Sequence, residues 1–201
     1  MKMEKRRFGM ETGKKIIRKT FWVAQFVKEE KYLSEMRKKG WKFTGLHTGI
    51  PTKYEFEACE PEDYSYQLDY IKKEEDTEDY HQMYQDAGWE EVTSYPGLYE
   101  GKWYYFCKKK ENGKAEVLYT DSESKVDLVK KLQQHYGLFS IAMFGCQIGS
   151  VNYLINRIEE GRTSVGMIIS AVACAIILLL LCYNFFGLLF IEKKLKNKKK
   201  I

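Results

Sequence analysis

None of the short motifs that announce an enzyme occurs in the 201 residues of this chain. There is no GxSxG nucleophile turn, no phosphate-binding P-loop, no HExxH zinc helix and no GxGxxG dinucleotide loop. Their absence leaves the expectation of a non-enzymatic protein without a cofactor. His47, His81 and His135 stand far apart, and no cysteine or histidine falls at ligand spacing beside them. No metal centre is therefore expected, and each histidine reads as an ordinary surface or loop residue. The five cysteines, Cys59, Cys107, Cys146, Cys174 and Cys182, form no CxxC pair and are odd in number. That usage fits free thiols in a reducing compartment. The basic residues 1–20 are not followed by the apolar run of a signal peptide.

Positive charge is scarce where a nucleic-acid binder would need it. Residues 1–20 carry a net +6 and residues 192–201 a net +5, so residues 21–191 sum to −6 although the whole chain is +5. A phosphate-binding surface puts its cations on the folded domain. Here they sit in two tails, residues 1–15 and 192–201, which read as solvated segments flanking a membrane. Nucleic acid is not an expected partner.

What the chain has in abundance is uncharged sequence near its end. Val165–Ile191 is 27 residues without a charge, and as a helix it would span roughly 40 Å, more than a hydrocarbon core. It reads as a transmembrane helix. Gly137–Ile155 adds 19 uncharged residues, interrupted by Gln147, Asn152 and three glycines. It reads as a first span, with an amphipathic surface helix as the competing reading. Orientation favours two spans. The lysines of Lys193–Lys200 are a cytoplasmic exit signal. A single span would put the preceding domain outside, with nothing to export it. Two spans leave both termini in the cytosol, joined by an outer turn over Asn156–Ser164. Gly145 and Gly149 form a GxxxG pair, on which two copies could associate.

The segment between the first tail and the first span, residues 16–135, contains an internal correspondence at an offset of 48 residues. Tyr32 matches Tyr80, Gly40 matches Gly88, Trp41 matches Trp89, Gly49 matches Gly97, and Cys59 matches Cys107. Phe56 with Tyr104 and Ile50 with Leu98 fall in step. Each copy reads as strand, helix, strand, strand. The strands are Phe21–Val27 and Tyr64–Ile71; the helices Glu29–Lys39 and Glu78–Ala87 end at Gly40 and Gly88. Further strands begin at Trp41 and Trp89, and close with Tyr54–Ala58 and Trp103–Cys107. A strand over Glu116–Thr120, cap residues at Asp121–Ser124 and a helix Lys125–His135 complete the unit. The expected fold is α+β: a duplicated β-α-β-β unit in a ferredoxin-like two-layer antiparallel sandwich, followed by a transmembrane helical hairpin.

Several stretches taken in order resemble a bacterial family, the domain of unknown function 2812. They are Glu30-Lys31-Tyr32-Leu33-Ser34-Glu35-Met36 into Lys39-Gly40-Trp41, then Tyr54-Glu55-Phe56-Glu57. Tyr64–Tyr70 follows, then Ala87-Gly88-Trp89-Glu90, and last Leu118-Tyr119-Thr120-Asp121-Ser122-Glu123-Ser124-Lys125. The resemblance covers roughly residues 16–135. It implies C-terminal membrane helices and, through neighbouring regulator genes, a link to a regulated response. It carries over no catalytic residue.

Aromatic residues crowd into the duplicated region. Tyr54, Tyr66, Trp103 and Tyr105 are the positions expected to line a ligand or peptide site if one exists, since rings with polar tips suit such surfaces. The competing reading is that they pack a sheet. Glu60, Glu62 and Asp63 around Pro61 read as a solvated turn. Two functions remain open. One is a membrane-anchored sensor, adaptor or ligand-binding module at the bacterial inner membrane, with a cytosolic peptide, lipid or protein partner. The other is an immunity, resistance or transporter accessory acting through its hairpin.

Overall fold

The computed structural model describes residues 13–97, 101–110 and 122–198. The expected strand Glu116–Thr120, Asp121, Leu98 and most of the first basic tail lie outside the described residues. The chain divides into two compact units, residues 1–21 with 25–120, and residues 22–24 with 121–201.

The first unit is α+β. Its elements are β1 (Lys14–Lys19), α1 (Phe26–Lys38), β2 (Trp41–His47), β3 (Thr52–Ala58), β4 (Tyr64–Lys72), α2 (Glu78–Asp86), β5 (Glu90–Pro96) and β6 (Gly101–Lys109). They form two antiparallel three-stranded sheets, ordered β1-β3-β2 and β4-β6-β5. Both halves thus run strand, helix, strand, strand, with the last strand central.

Backbone sterics explain why the correspondence survives where it does. Gly40 and Gly88 end the two helices at φ +81 and +75, a conformation that side chains rarely adopt. At Gly40 a Cβ would also meet the Cys59 carbonyl oxygen at 2.9 Å. The next strand of each half carries an irregularity at the same place, Phe43/Gly45 and Glu91/Thr93. Beyond the hairpin turn the constant offset fails. Phe43 faces Phe56, whereas Glu91 faces Phe106 rather than Tyr104. The second hairpin carries its turn one residue pair further out, so β6 is displaced by two. Cys59 and Cys107 are consequently not equivalent: Cys107 is buried within β6 opposite Tyr66, and Cys59 lies just past β3.

The first strand also differs from expectation. Phe21–Val27 is not a strand: Val23–Gln25 is a 3-10 turn, and Phe26 opens α1 as a buried residue. The strand is Lys14–Lys19, most of it basic. Ile17 pairs with Tyr54, while Lys15 Nζ stands 4.7 Å over the Trp41 ring and Lys19 Nζ 3.9 Å over the Tyr32 ring. Cation–π contact lets a lysine-rich strand close a sheet edge, and its charges also discourage further pairing.

Strand alternation sorts the side chains into two cores. Tyr66, Leu68 and Tyr105 face Phe43, Tyr54 and Phe56 of the other sheet and the α1 residues Phe26 and Leu33; Phe43 lies 5.5 Å from Tyr105 and 6.2 Å from Tyr66. On the opposite face of the β4-β6-β5 sheet, Ile71, Tyr104 and Phe106 pack with Tyr84 and Trp89 under α2. The turn around Pro61 is part-exposed to solvent, and two of its carboxylates also act as a staple. Glu62 pairs with Arg37 and, at 2.9 Å, with Lys109; Asp63 pairs with Lys38 and Lys110, each at 3.1 Å. Together they tie the end of α1 to the end of β6.

The second unit is a helical hairpin of α3 (Ser122–Glu159) and α4 (Val165–Lys198). The helix expected at Lys125–His135 and the apolar stretch Gly137–Ile155 are one unbroken helix. Both helices are long and apolar enough to cross a membrane. Their apolar side chains point outward: Leu138, Ile141, Phe144, Ile169, Leu179 and Phe190 are all exposed. Polar groups also cross between them, Gln133 to Glu192 at 2.9 Å and Gln147 to the Ala171 carbonyl at 3.3 Å. The Trp22–Ala24 segment belongs to this unit: Asn184 Oδ1 accepts from the Ala24 amide at 3.1 Å, and Gly187 leaves room for the Ala24 methyl.

Candidate functional site

The chemically unusual groups of the α+β unit are its buried carboxylates, one set on each face of the β4-β6-β5 sheet. Glu29 sits in the first turn of α1, where the helix dipole favours an anion. Its Oε1 accepts from both the Tyr54 and Tyr105 hydroxyls, each at 2.6 Å. Burial nevertheless pushes its carboxyl above the usual range, partly offset by the bonds from Tyr105 and Tyr54 and reinforced by the neighbouring Glu30. Glu30, also buried, accepts from the Leu68 amide at 3.1 Å. Both phenols are pushed upward by the same desolvation, so they act as neutral donors.

On the other face, Asp69 Oδ2 accepts from Tyr84 at 2.9 Å and Tyr80 at 3.1 Å, and its Oδ1 accepts from the Tyr70 amide at 2.8 Å. The rings continue outward. Tyr80 lies 5.8 Å from Tyr104, and Tyr104 donates to Asp76 Oδ1 at 2.7 Å. Asp76 also binds Lys102 at 2.6 Å and His81 Nε2 at 2.9 Å, while His81 Nδ1 faces Glu91 at 3.2 Å. Lys102 first, with Tyr104 and His81 after it, holds the Asp76 carboxyl down at about 2. A polar thread therefore runs from the buried Asp69 to a half-exposed ion cluster. No spacing rule would have found it: Asp76, His81, Glu91 and Lys102 come from a loop, a helix and two strands. His81, expected to be an ordinary surface or loop residue, bridges two carboxylates.

The four aromatics singled out in the sequence are all interior. Tyr54, Tyr66, Trp103 and Tyr105 are 2%, 6%, 5% and 1% exposed. Tyr54 and Tyr105 meet on Glu29. Tyr66 lies against Phe43, and Trp103 meets Tyr70 at 5.3 Å with the rings tilted, so neither joins that centre. Buried among their neighbours, they fill space between layers. Arg37 is a further interior charge: besides Glu62 it lies 4.4 Å from the Tyr64 ring, and its Nε and Nη1 meet no partner among the described residues. Among the described residues no group of three acidic, histidine or cysteine side chains is arranged to hold a metal.

A family model for a protein of unknown function, DUF2812, matches residues 25–141, more than half of the chain. The chain belongs to this family. The family match begins one residue before α1, takes in the Glu29 and Asp69 centres, and ends twenty residues into α3. In this DUF2812 protein the family region therefore includes the start of the helical hairpin. No curated protein and no solved structure matches the chain.

Proposed function

We propose that this DUF2812 protein is a membrane-anchored, non-enzymatic sensor or adaptor. The α+β unit works on the cytosolic side of a bacterial inner membrane, and the hairpin of α3 and α4 crosses the bilayer twice, leaving both termini in the cytosol. The observation that carries this reading is the unbroken α3. It leaves the family region and continues as a helix whose apolar side chains, from Leu138 onward, point outward. Water is a poor solvent for such a surface and lipid a good one. The lysines that end α4 favour a cytosolic exit.

A binding rather than a catalytic role rests on how the titratable groups are spent. Glu29, Asp69 and Asp76 each accept hydrogen bonds from neighbouring tyrosines. That arrangement specifies a rigid interior, and partner contact then falls to the outer surfaces. Thiol labelling in right-side-out vesicles tests the topology, since Cys59 should stay protected until the membrane is opened. Affinity purification after solubilisation should recover a specific partner that is lost when residues 21–135 are deleted. Labelling of Cys59 from outside overturns the orientation.

One observation favours the hairpin as the active element instead. Gly145 and Gly149 lie on a face of α3 where an added Cβ would meet nothing within 4 Å, so that face is open to a second copy in the bilayer. Cross-linking through the exposed Cys146, abolished by Gly149→Leu, would support that reading.

A further inference from the structure

The turn between β2 and β3 ends in an apolar residue that nothing in the unit covers. Ile50, between Gly49 and Pro51, is 80% exposed, the highest value among the large apolar side chains described. The turn is pinned rather than loose, because the Thr52 hydroxyl donates to the Gly49 carbonyl at 3.0 Å. Strand pairing gathers cations beside it. Arg18 is the register partner of Lys53, Lys19 that of Thr52, and His47 pairs with Lys53 from the other side. The carboxylate next along β3, Glu55, is engaged by His47 at 3.0 Å. Ile16 adds a second exposed apolar side chain on the same outer sheet face, opposite Glu55.

We propose that this turn is a membrane-contacting tip, with Ile50 entering the interfacial layer of a bilayer whose anionic headgroups are met by Arg18 and Lys53. A large exposed apolar side chain flanked by cations is the chemistry of peripheral insertion. A lipid surface is favoured over a protein partner by the positive charge around the tip and by its tether, since the same chain carries two helices able to cross a bilayer. The inference rests on the membrane anchoring proposed above and extends it: the α+β unit would lie on the bilayer and would not hang free beneath it.

The test uses the full chain reconstituted in phosphatidylcholine vesicles with and without phosphatidylglycerol. Ile50→Trp is compared with the unsubstituted chain, using lipids brominated on their acyl chains. The added tryptophan should be quenched in the anionic vesicles and much less in the neutral ones. Each cation removed should lower residence at the surface about fivefold, so R18Q/K53Q should lower it about twenty-five-fold. Unchanged far-ultraviolet circular dichroism keeps the variants comparable. Alkaline carbonate extraction separates the two claims. A chain that resists extraction but whose added tryptophan stays unquenched overturns the tip alone. A chain that is extracted overturns the anchoring and the tip with it. A blue-shifted emission without bromine quenching would mean a protein covers the turn, and that too overturns the proposal.

Discussion

Removing the Tyr105 hydroxyl should destabilise the α+β unit in a pH-dependent way. Tyr105 and Tyr54 donate to the same oxygen of Glu29, and all three groups are buried. Where the Glu29 carboxyl is charged, Tyr105→Phe removes a bond to a charged acceptor, which costs about 1.5–3 kcal/mol. In acid, Glu29 is protonated and the lost bond is between neutral groups, worth about 0.5–1.5 kcal/mol. Glu29→Gln isolates the charge. Its carboxyl is raised in the folded chain, so the folded state holds a proton that the unfolded state has released. The stability linked to Glu29 is therefore greatest below the unfolded value of 4.5 and falls as pH rises through the folded one. Glu29→Gln should remove that slope and should be more stable than the unsubstituted chain once pH has passed the Glu29 titration. The assay is urea unfolding of the full chain in detergent micelles, followed by tryptophan fluorescence across this range. A Tyr105→Phe cost that is the same below and above the Glu29 titration would refute the reasoning. So would a Glu29→Gln variant that keeps the slope.

Other substitutions probe separate features. Phe106→Ala removes a ring stacked on Tyr84 at 3.7 Å and should cost about 3–5 kcal/mol in the same urea assay. Gly97→Ala places a methyl 2.6 Å from the Tyr70 ring and should cost about 1–3 kcal/mol, most of it recovered by Tyr70→Leu. Gly187→Ala places its methyl 2.6 Å from that of Ala24; proteolysis near Trp22 should rise, and A24G/G187A should restore protection by moving the methyl across the contact. Asp76 contributes stability that is present above 3.8 and lost as pH falls towards about 2. Lys102→Met should move the Asp76 carboxyl up in an NMR titration, shifting that loss to higher pH.

How legible each feature was in the sequence depended on the physics that sets it. The helix stops at Gly40 and Gly88 and the hairpin of apolar helices follow from local rules, backbone sterics and solvent transfer. Both stand where the residues put them. Lys14–Lys19 was missed as a strand because its partners, Trp41, Tyr32 and Tyr54, lie far along the chain and only the fold stacks them against the lysines. The correspondence at 48 residues broke in β6 because a hairpin lengthened by one residue pair changes every later register while leaving composition untouched. The Glu29 centre was invisible for a similar reason. Its phenols come from strands 25 and 76 residues away, and an acidic residue in the first turn of a helix has an ordinary explanation as a dipole partner. Of the four aromatics named in advance, Tyr54 and Tyr105 belong to this centre, through their hydroxyls and not as the walls of a pocket.

Placing β1 inside the folded unit also changes the electrostatic argument. While the basic residues up to Thr20 count as a tail, the folded part looks uniformly acidic. Once β1 is included, residues 13–110 carry 17 Lys and Arg against 18 Asp and Glu, and what matters is their separation. Lys14, Arg18, Lys42 and Lys53 share the outer face of the β1-β3-β2 sheet with Glu55 and Glu57, a net excess of positive charge. Glu74, Glu75, Glu78, Asp79 and Asp86 gather in and before α2, which covers the face of the other sheet turned away from Phe43. A nearly neutral unit with its charges sorted in this way has little net attraction to an anionic bilayer but a strong preference for one orientation on it. With the tether and the tip as proposed, orientation is the quantity that counts, and the sheet that presents Ile50 is the side expected to turn towards the lipid.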